Sequence, residues 1–212
     1  MTELDPDVGR NFLAHIDADW SRIIALADPW QQPERLADSP YKYLLRAIAH
    51  QHVHARAAAS LLARLGGFFG DLPSPQQVLA STPADLRSLG FSTAKSHALF
   101  DLADHAQRGM IPSNTEALAM SDDSLRQVLT TVRGIGPWTV DMLLIFHLGR
   151  QDVLPTGDFG VREGFRRLKK HAKQPKHTEL AALGQAWSPY RTQATWYLWQ
   201  AARLLPVPET QP

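Results

Sequence analysis

The sequence of 212 residues contains no cysteine. It therefore has no disulfide, no cysteine nucleophile, no Cys-ligated zinc and no iron–sulfur cluster held by cysteines. No stretch approaches the roughly 18 to 20 consecutive apolar residues of a membrane-spanning helix. The first residues, MTELDPDVGR, are acidic and polar, unlike a signal peptide. These absences predict an intracellular, cytoplasmic protein with no membrane partner.

Net charge is also nearly absent, because 22 Lys and Arg face 21 Asp and Glu. The balance hides two basic stretches. Residues 41–70 carry four Lys or Arg and no acid, and residues 162–176 carry seven against a single Glu. Such a stretch is either a solvated face or a surface for a polyanion such as DNA. Charge alone leaves both interpretations open.

Segments with apolar residues at helical spacing are separated by short stretches rich in Pro, Gly and Ser. No segment shows the alternation of apolar and polar residues that is typical of a strand. The sequence therefore predicts an all-α protein. Prolines that follow capping residues mark helix starts, as in Ser39-Pro40 and Thr82-Pro83. Two of the predicted helices are long and continuous, over residues 8–27 and 40–65.

The most informative segment is LRQVLTTVRGIGPWTVDMLLIFHLG, at residues 125–149. A helix is predicted to end at Val132, Gly134 and Gly136 to form a tight turn around Ile135, and Pro137 to start a second helix. The N-terminus of that second helix would hold a phosphate, because its amides and its dipole both favour negative charge. A plain turn between two helices is the alternative, since two glycines alone are a weak signal.

This hairpin and the downstream LGRQDVLPTGDFGVREGF resemble the helix-hairpin-helix DNA glycosylase superfamily, and within it the 3-methyladenine DNA glycosylase II type. The resemblance runs from about Tyr43 to Leu205. It implies two helical lobes with an active-site cleft between them. Residues 40–154 would form the lobe with the hairpin (about 124–148), and 155–205 the lobe with the catalytic Asp. Residues 1–39 would pack with that second lobe, 206–212 would be a disordered tail, and the extra mixed α/β domain of some relatives would be absent.

The implied activity is that of a monofunctional DNA glycosylase in base excision repair. Such an enzyme, acting as a monomer on double-stranded DNA, flips out an alkylated base and hydrolyses its N-glycosidic bond, which leaves an abasic site. Members that also cut the strand use a Lys at the hairpin site to form a Schiff base, and this sequence has Trp138 there. A non-catalytic DNA-binding protein and a glycosylase for oxidised or mismatched bases are the alternatives.

Asp158 matches the catalytic aspartate of the family. Judged from the residues alone, a carboxylate before a helix is more often an N-cap. If it faces the sugar, its charge would stabilise the cation that forms when the base leaves. At 4 Å and an effective dielectric near 20 this is worth about 4 kcal/mol, or roughly a thousandfold in rate.

Aromatic residues are predicted to line the base pocket, because a purine alkylated at a ring nitrogen is cationic and attracts aromatic faces. Trp138 and Trp199 match pocket aromatics of the family, and Trp187 and Tyr190 lie nearby in sequence. The alternative for any Trp on a helix is a core position. Met142 stands where a relative has a stacking Tyr, which predicts a pocket of different shape.

DNA contacts are implied at further positions. Gln51 and His52 match the segment that fills the gap left by the flipped base. His50 and His54, four apart on the predicted helix 40–65, raise a zinc alternative without an acidic third ligand. The residues implied to bind DNA are Arg133, Gly134, Ile135, Gly136, Thr139, Lys95 and Arg162. Backbone carbonyls of Thr130, Val132 and Ile135 resemble a family site for structural Na⁺ or K⁺, and no cofactor is implied for catalysis.

Overall fold

A computed structural model of the chain describes residues 5–31 and 38–208. All regular structure in this part of the chain is helical, which confirms the predicted all-α class. The α-helices, numbered α1 to α13, cover Pro6–Ala14, Ala18–Leu26, Pro40–His50, Ala55–Phe69, Pro75–Ala80, Pro83–Ser88, Thr93–Gln107, Asn114–Ala119, Asp122–Leu129, Pro137–Phe146, Phe159–Leu168, His177–Leu183 and Arg191–Leu204. A 3₁₀ turn at Gly184–Trp187 precedes α13. None of the helices within the described ranges is long and apolar enough to cross a membrane.

Capping side chains start most of these helices. Ser74, Thr82 and Ser113 each accept a bond from the third helical amide, and the side chain of that third residue bonds back to the cap. Proline occupies the first position of α3, where its missing N–H leaves no bond unmade. Because these capping residues and prolines are visible in the sequence, the starts of the short helices can be predicted from it.

The predicted single helices over 8–27 and 40–65 are wrong, because each is two helices. Asp17 accepts bonds from the amides of Asp19 and Trp20, so it caps a new helix, α2. His54 does the same for α4, since its Nδ1 lies 3.2 Å from the Ala57 amide. The helix ends at His50 and the chain turns through four residues before α4.

The chain divides into two compact units. In described residues, the first comprises 5–31 with 149–208 and holds α1, α2 and α11–α13. The second, 38–148, holds α3–α10. Residues 149–154, predicted to end the hairpin lobe, cluster with the first unit because the Thr192 hydroxyl bonds the carbonyl of Arg150 and the amide of Val153. The predicted tail is described only at 206–208, without regular structure, and 209–212 lie outside the described residues, as do 1–4 and 32–37 of the predicted N-terminal segment.

The core of the first unit forms where α11 and α13 pack together. A Cβ built on Gly164 would lie 1.8 Å from the carbonyl oxygen of Leu198, so only glycine allows the two backbones this approach. Trp20, Leu168 and Tyr197 fill the space around the pair. This contact sets the position of the N-terminus of α11.

Candidate active site

The hairpin of the second unit consists of α9, a tight turn and α10. Gly134 has φ +80, and a Cβ there would lie 3.2 Å from that of Ala98. Ile135 is buried beneath the turn, as the sequence predicted. Gly136 precedes Pro137 and offers no side chain that caps α10. A helix that starts this way has the geometry of an anion site.

An ion pair joins the two helices of the hairpin, and a backbone hydrogen bond holds its turn. Arg126 of α9 lies 2.9 Å from Asp141 of α10. Burial raises the pKa of Asp141, and the guanidinium opposes that rise. The amide of Arg133 donates to Asp101 at 2.7 Å, while its side chain is exposed beside the turn.

The loop between α3 and α4 is fastened to this hairpin. The side-chain amide of Gln51 donates to the carbonyl of Gly134 at 2.8 Å. His52 follows in the left-handed region, with φ +55, and its side chain is exposed. A histidine in this conformation is uncommon, so the surrounding contacts must hold it. The exposed imidazole suits a residue that inserts into DNA, and Gln51 anchors the loop that carries it.

Two predictions about this region are corrected. Lys95 was expected to contact phosphate, but it is buried and its Nζ donates to the carbonyl of Ala49 at 2.7 Å, at the end of α3. Burial lowers the pKa of this amine. His50 and His54 do not share a helix face, because the helix ends between them. No cluster of three His, Cys, Asp or Glu able to hold a metal occurs in residues 5–31 and 38–208.

A pocket of about 780 Å³ opens beside this loop and the start of α10. Trp138 is 50% exposed at its mouth, and Met142, one turn further along α10, is largely buried in its wall. Burial raises the pKa of the Tyr43 phenol to about 12, so this group stays neutral. The lining residues are Tyr43, Arg46, Ala47, His50, Gln51, His52, Gly134, Trp138, Thr139 and Met142.

Sequence reasoning missed the α3 side of this pocket. Tyr43, Ala47 and His50 follow one another at spacings of four and three, so they share a helix face. Arg46 pairs with Asp38. The helical spacing was visible in the sequence, but nothing showed that this face would meet α10.

Asp158 lies in the first unit, at the N-cap of α11. Its Oδ1 accepts the amide of Val161 at 2.8 Å and the indole N–H of Trp199, from α13, at 2.9 Å. The carboxylate is partly exposed. The bond from the Val161 amide confirms the N-cap interpretation, and the catalytic role of Asp158 stays a prediction.

Other predicted residues of this unit have structural contacts. Trp187 is 3% exposed and packs edge-on against Trp20 at 5.2 Å, so its assignment to the base pocket is wrong. Tyr190 packs on Phe12 of α1 at 5.2 Å. Arg162 is partly buried, and its Nε donates to the carbonyl of Pro175 at 2.9 Å.

The cation site implied by the resemblance involves the hairpin turn. Thr130 is the C-cap of α9, and the carbonyl of Val132 accepts the amide of Ile135 at 3.0 Å. Because a carbonyl oxygen has two lone pairs, that bond leaves room for a cation contact. Neutral oxygen donors suit a hard cation, so the donor type agrees with the Na⁺ or K⁺ site, which stays a prediction.

Comparison with known proteins places this geometry in a family. Residues 45–189 match the model described as "HhH-GPD superfamily base excision DNA repair protein". The chain is 36% identical to DNA-3-methyladenine glycosylase 1 of Schizosaccharomyces pombe over 202 residues, which cover 91% of this chain and 86% of that protein.

Two solved structures are similar throughout. One is the Schizosaccharomyces pombe 3-methyladenine DNA glycosylase Mag1 in complex with abasic DNA, with a TM-score of 0.82, 33% identity and coverage of 93% of this chain and 97% of that one. The other is a DNA-3-methyladenine glycosidase from Bacillus halodurans, with a TM-score of 0.82, 30% identity and coverage of 94% and 90%.

Proposed function

This chain belongs to the HhH-GPD superfamily of base excision DNA repair proteins, and on that premise we propose that it is a monofunctional glycosylase for alkylated bases. It acts as a monomer on double-stranded DNA, turns the damaged nucleotide out of the helix and hydrolyses its N-glycosidic bond. The observation that carries the proposal is the Asp158 carboxylate, held by two donors at the N-terminus of α11.

Asp158 stabilises the transition state of the hydrolysis. The bond between C1′ and the base nitrogen breaks, and its electron pair leaves with the base. The sugar becomes an oxocarbenium-like cation, and the nearby carboxylate lowers its energy. Water then adds its oxygen to C1′ and loses a proton, which leaves an abasic site. A single charge at about 4 Å supplies about 4 kcal/mol, and the remainder comes from the leaving group.

The pocket of the second unit selects the base. A purine that is alkylated at a ring nitrogen is cationic, so it both leaves easily and attracts the face of Trp138. Met142 provides a flexible, polarisable wall where a ring would define a narrower slot. The Tyr43 phenol, kept neutral by burial, adds no negative charge.

The enzyme is monofunctional because the pocket offers no amine for a Schiff base. Trp138 occupies the hairpin position, and the residues that line the pocket include no lysine. The free base and an abasic site are therefore the products, and the strand stays intact.

The hairpin and the α3–α4 loop bind the DNA. Amides at the turn from Gly134 to Thr139 hold a phosphate without reading sequence, which suits a protein that scans for damage. The exposed side chain of Arg133 adds charge, and the carbonyls of Thr130, Val132 and Ile135 would hold a Na⁺ or K⁺ ion, which would supply positive charge near the phosphate. His52 fills the gap from which the nucleotide is turned out.

The direct test is a panel of duplexes that each contain one lesion: 3-methyladenine, 7-methylguanine, 1-methyladenine, 3-methylcytosine or hypoxanthine. The protein is incubated with each duplex, and abasic sites are revealed by alkali. We expect base release from at least one alkylated duplex and no strand cleavage without alkali. Tight binding without release from any lesion would favour a non-catalytic DNA-binding protein. Cleavage without alkali would contradict the monofunctional assignment.

A further inference from the structure

The indole of Trp199 contacts Asp158 through its N–H edge. That N–H lies 2.9 Å from Oδ1, the oxygen that also accepts the amide of Val161. The bond joins α13 to the N-terminus of α11, across a sequence separation of 41 residues. An N-cap carboxylate needs only the helix amide, so the second donor has no role in starting α11.

Gly160 makes this contact sterically possible. A Cβ at this position would lie 3.0 Å from Cδ1 of Trp199 and 3.1 Å from Oδ1 of Asp158. The residue is within α11 and has no positive φ, so the requirement for glycine comes from space rather than from backbone conformation. Gly160 and Gly164 lie one turn apart, and both face α13.

We propose that Trp199 is a positioning residue for Asp158, and that Gly160 provides the space in which the indole reaches the carboxylate. Two donors on one oxygen leave the carboxylate little freedom to rotate, so its charge keeps a fixed direction toward the sugar. Electrostatic stabilisation depends on that direction being set before the reaction, because reorientation during the reaction costs energy. The proposal rests on the catalytic role of Asp158. It gives the N–H edge of Trp199 a function that base stacking does not require.

The test compares Trp199→Phe, which keeps an aromatic ring and removes the donor, with the wild type. A hydrogen bond to a charged group is worth about tenfold or more. We expect the single-turnover rate of base release to fall about tenfold, with affinity for abasic DNA unchanged within about twofold. Gly160→Ala should lower the rate in the same way by separating the two partners. Thermal melts establish that each variant is folded.

Two variants serve as matched controls. Trp196→Phe removes an indole donor from the same helix, but that donor bonds the carbonyl of Asp28 at 3.1 Å. Gly157→Ala places a Cβ immediately before Asp158, where it meets only the ring of His177, at 3.4 Å. We expect both controls to release the base within about twofold of the wild-type rate.

The Asp158→Asn background separates positioning from stacking. If Trp199 acts through the carboxylate, Trp199→Phe lowers the rate in the wild type and has no further effect in Asp158→Asn. A fall in both backgrounds, together with weaker DNA affinity, would assign Trp199 to base stacking and overturn the proposal. So would a Trp199→Phe rate equal to that of Trp196→Phe.

Trp199→Phe and Gly160→Ala disturb the same contact from two different residues. If one of these variants is too unstable to assay, the other still tests the positioning role. If Asp158→Asn lowers the rate of base release and Trp199→Phe does not, the positioning role of Trp199 is overturned and the catalytic role of Asp158 stands. Full activity in Asp158→Asn would instead remove the catalytic assignment on which the proposal rests.

Discussion

Trp138 is distinguished by its exposure and by its place at the start of α10. It is half exposed, and it lies at the second position of a helix whose N-terminus has no side-chain cap. Its side chain lines the mouth of the pocket beside α3. A flipped cationic base would cover its face, and the pocket behind it offers the space.

Trp138→Ala should therefore change the choice of lesion as well as the rate. A cation–π contact in a partly desolvated site is worth about 1 to 2 kcal/mol. We expect release of cationic 7-methylguanine to fall about tenfold more than release of neutral hypoxanthine, measured as single-turnover rates. Phe68→Ala, which removes an exposed ring from α4, is the control and should alter neither rate. Equal losses for both lesions would mean that the ring only provides shape.

Individual side chains were predicted with uneven success. Asp158 is predicted because a motif carries it, and its N-cap bond is confirmed while its catalytic role stays a prediction. Trp187 was misassigned, because the sequence gives the same appearance to a Trp in a core and a Trp in a pocket. Its contact with Trp20 joins residues 167 positions apart, and no local pattern encodes such a pair. The sequence shows that residue 187 is a Trp, but only tertiary packing determines whether that Trp lies in the core or in a pocket.

The α3–α4 loop shows how an element can be mispredicted. AHQHVHARAAA has the composition of a continuous helix, and histidine is an unusual N-cap. The break is stabilised by Gln51, whose partner Gly134 lies 83 residues away. A distant hydrogen bond therefore overrides local helix propensity, and it does so at the position that exposes His52.

His52→Gly should stabilise the fold and weaken function. A left-handed conformation costs a non-glycine residue about 1 to 2 kcal/mol, so we expect a higher urea midpoint. Affinity for abasic duplex should fall, because the imidazole that fills the gap is gone. Lys170, the other non-glycine residue with positive φ in the described ranges, is the control for stability, and Lys170→Gly should raise the midpoint similarly. A His52→Gly variant with unchanged DNA affinity would contradict the role of the loop.

The hairpin turn depends on glycine for two separate reasons. At Gly134 a side chain meets both the positive φ and the close Cβ of Ala98, whereas at Gly109 it meets the positive φ and open space. We expect Gly134→Ala to lower the free energy of unfolding by more than Gly109→Ala, which should cost about 1 kcal/mol. Urea unfolding measures both. Equal costs would show that Ala98 yields easily and that the turn tolerates a side chain.

Within the first unit, acidic and basic segments that are far apart in the sequence pair with each other. The acidic N-terminal segment meets the basic stretch 162–176, where Lys169 bonds Asp17 at 2.5 Å and Asp19 at 3.2 Å. Part of the basic stretch is thus neutralised within the protein. The sequence left open whether these charges were for solvent or for a polyanion, and internal pairing was an alternative that only the fold could reveal.

Glu163 makes stability depend on pH. Hydrogen bonds from Arg166, Arg167 and Gln174 lower its pKa from 4.5 to about 2, against the effect of its burial. A carboxyl with a lowered pKa stabilises the fold above its unfolded value, and that contribution disappears as pH falls toward 2. It amounts to about 3 kcal/mol.

Urea unfolding of the wild type and Glu163→Gln at pH 7, 4.5 and 3 tests this. The difference in free energy of unfolding between the two proteins should be large at pH 7 and shrink steadily below pH 4.5. A difference that stays constant with pH would show that the arginines stabilise the fold without the charge of Glu163.

We propose that the negative charge of Asp158 stabilises the sugar cation. The most direct measurement is the single-turnover rate of 7-methylguanine release by the wild type and by Asp158→Asn, with duplex affinity measured on the same samples. We predict a rate about a thousandfold lower with affinity unchanged within about threefold. An Asp158→Asn protein that releases the base at the wild-type rate would contradict the account.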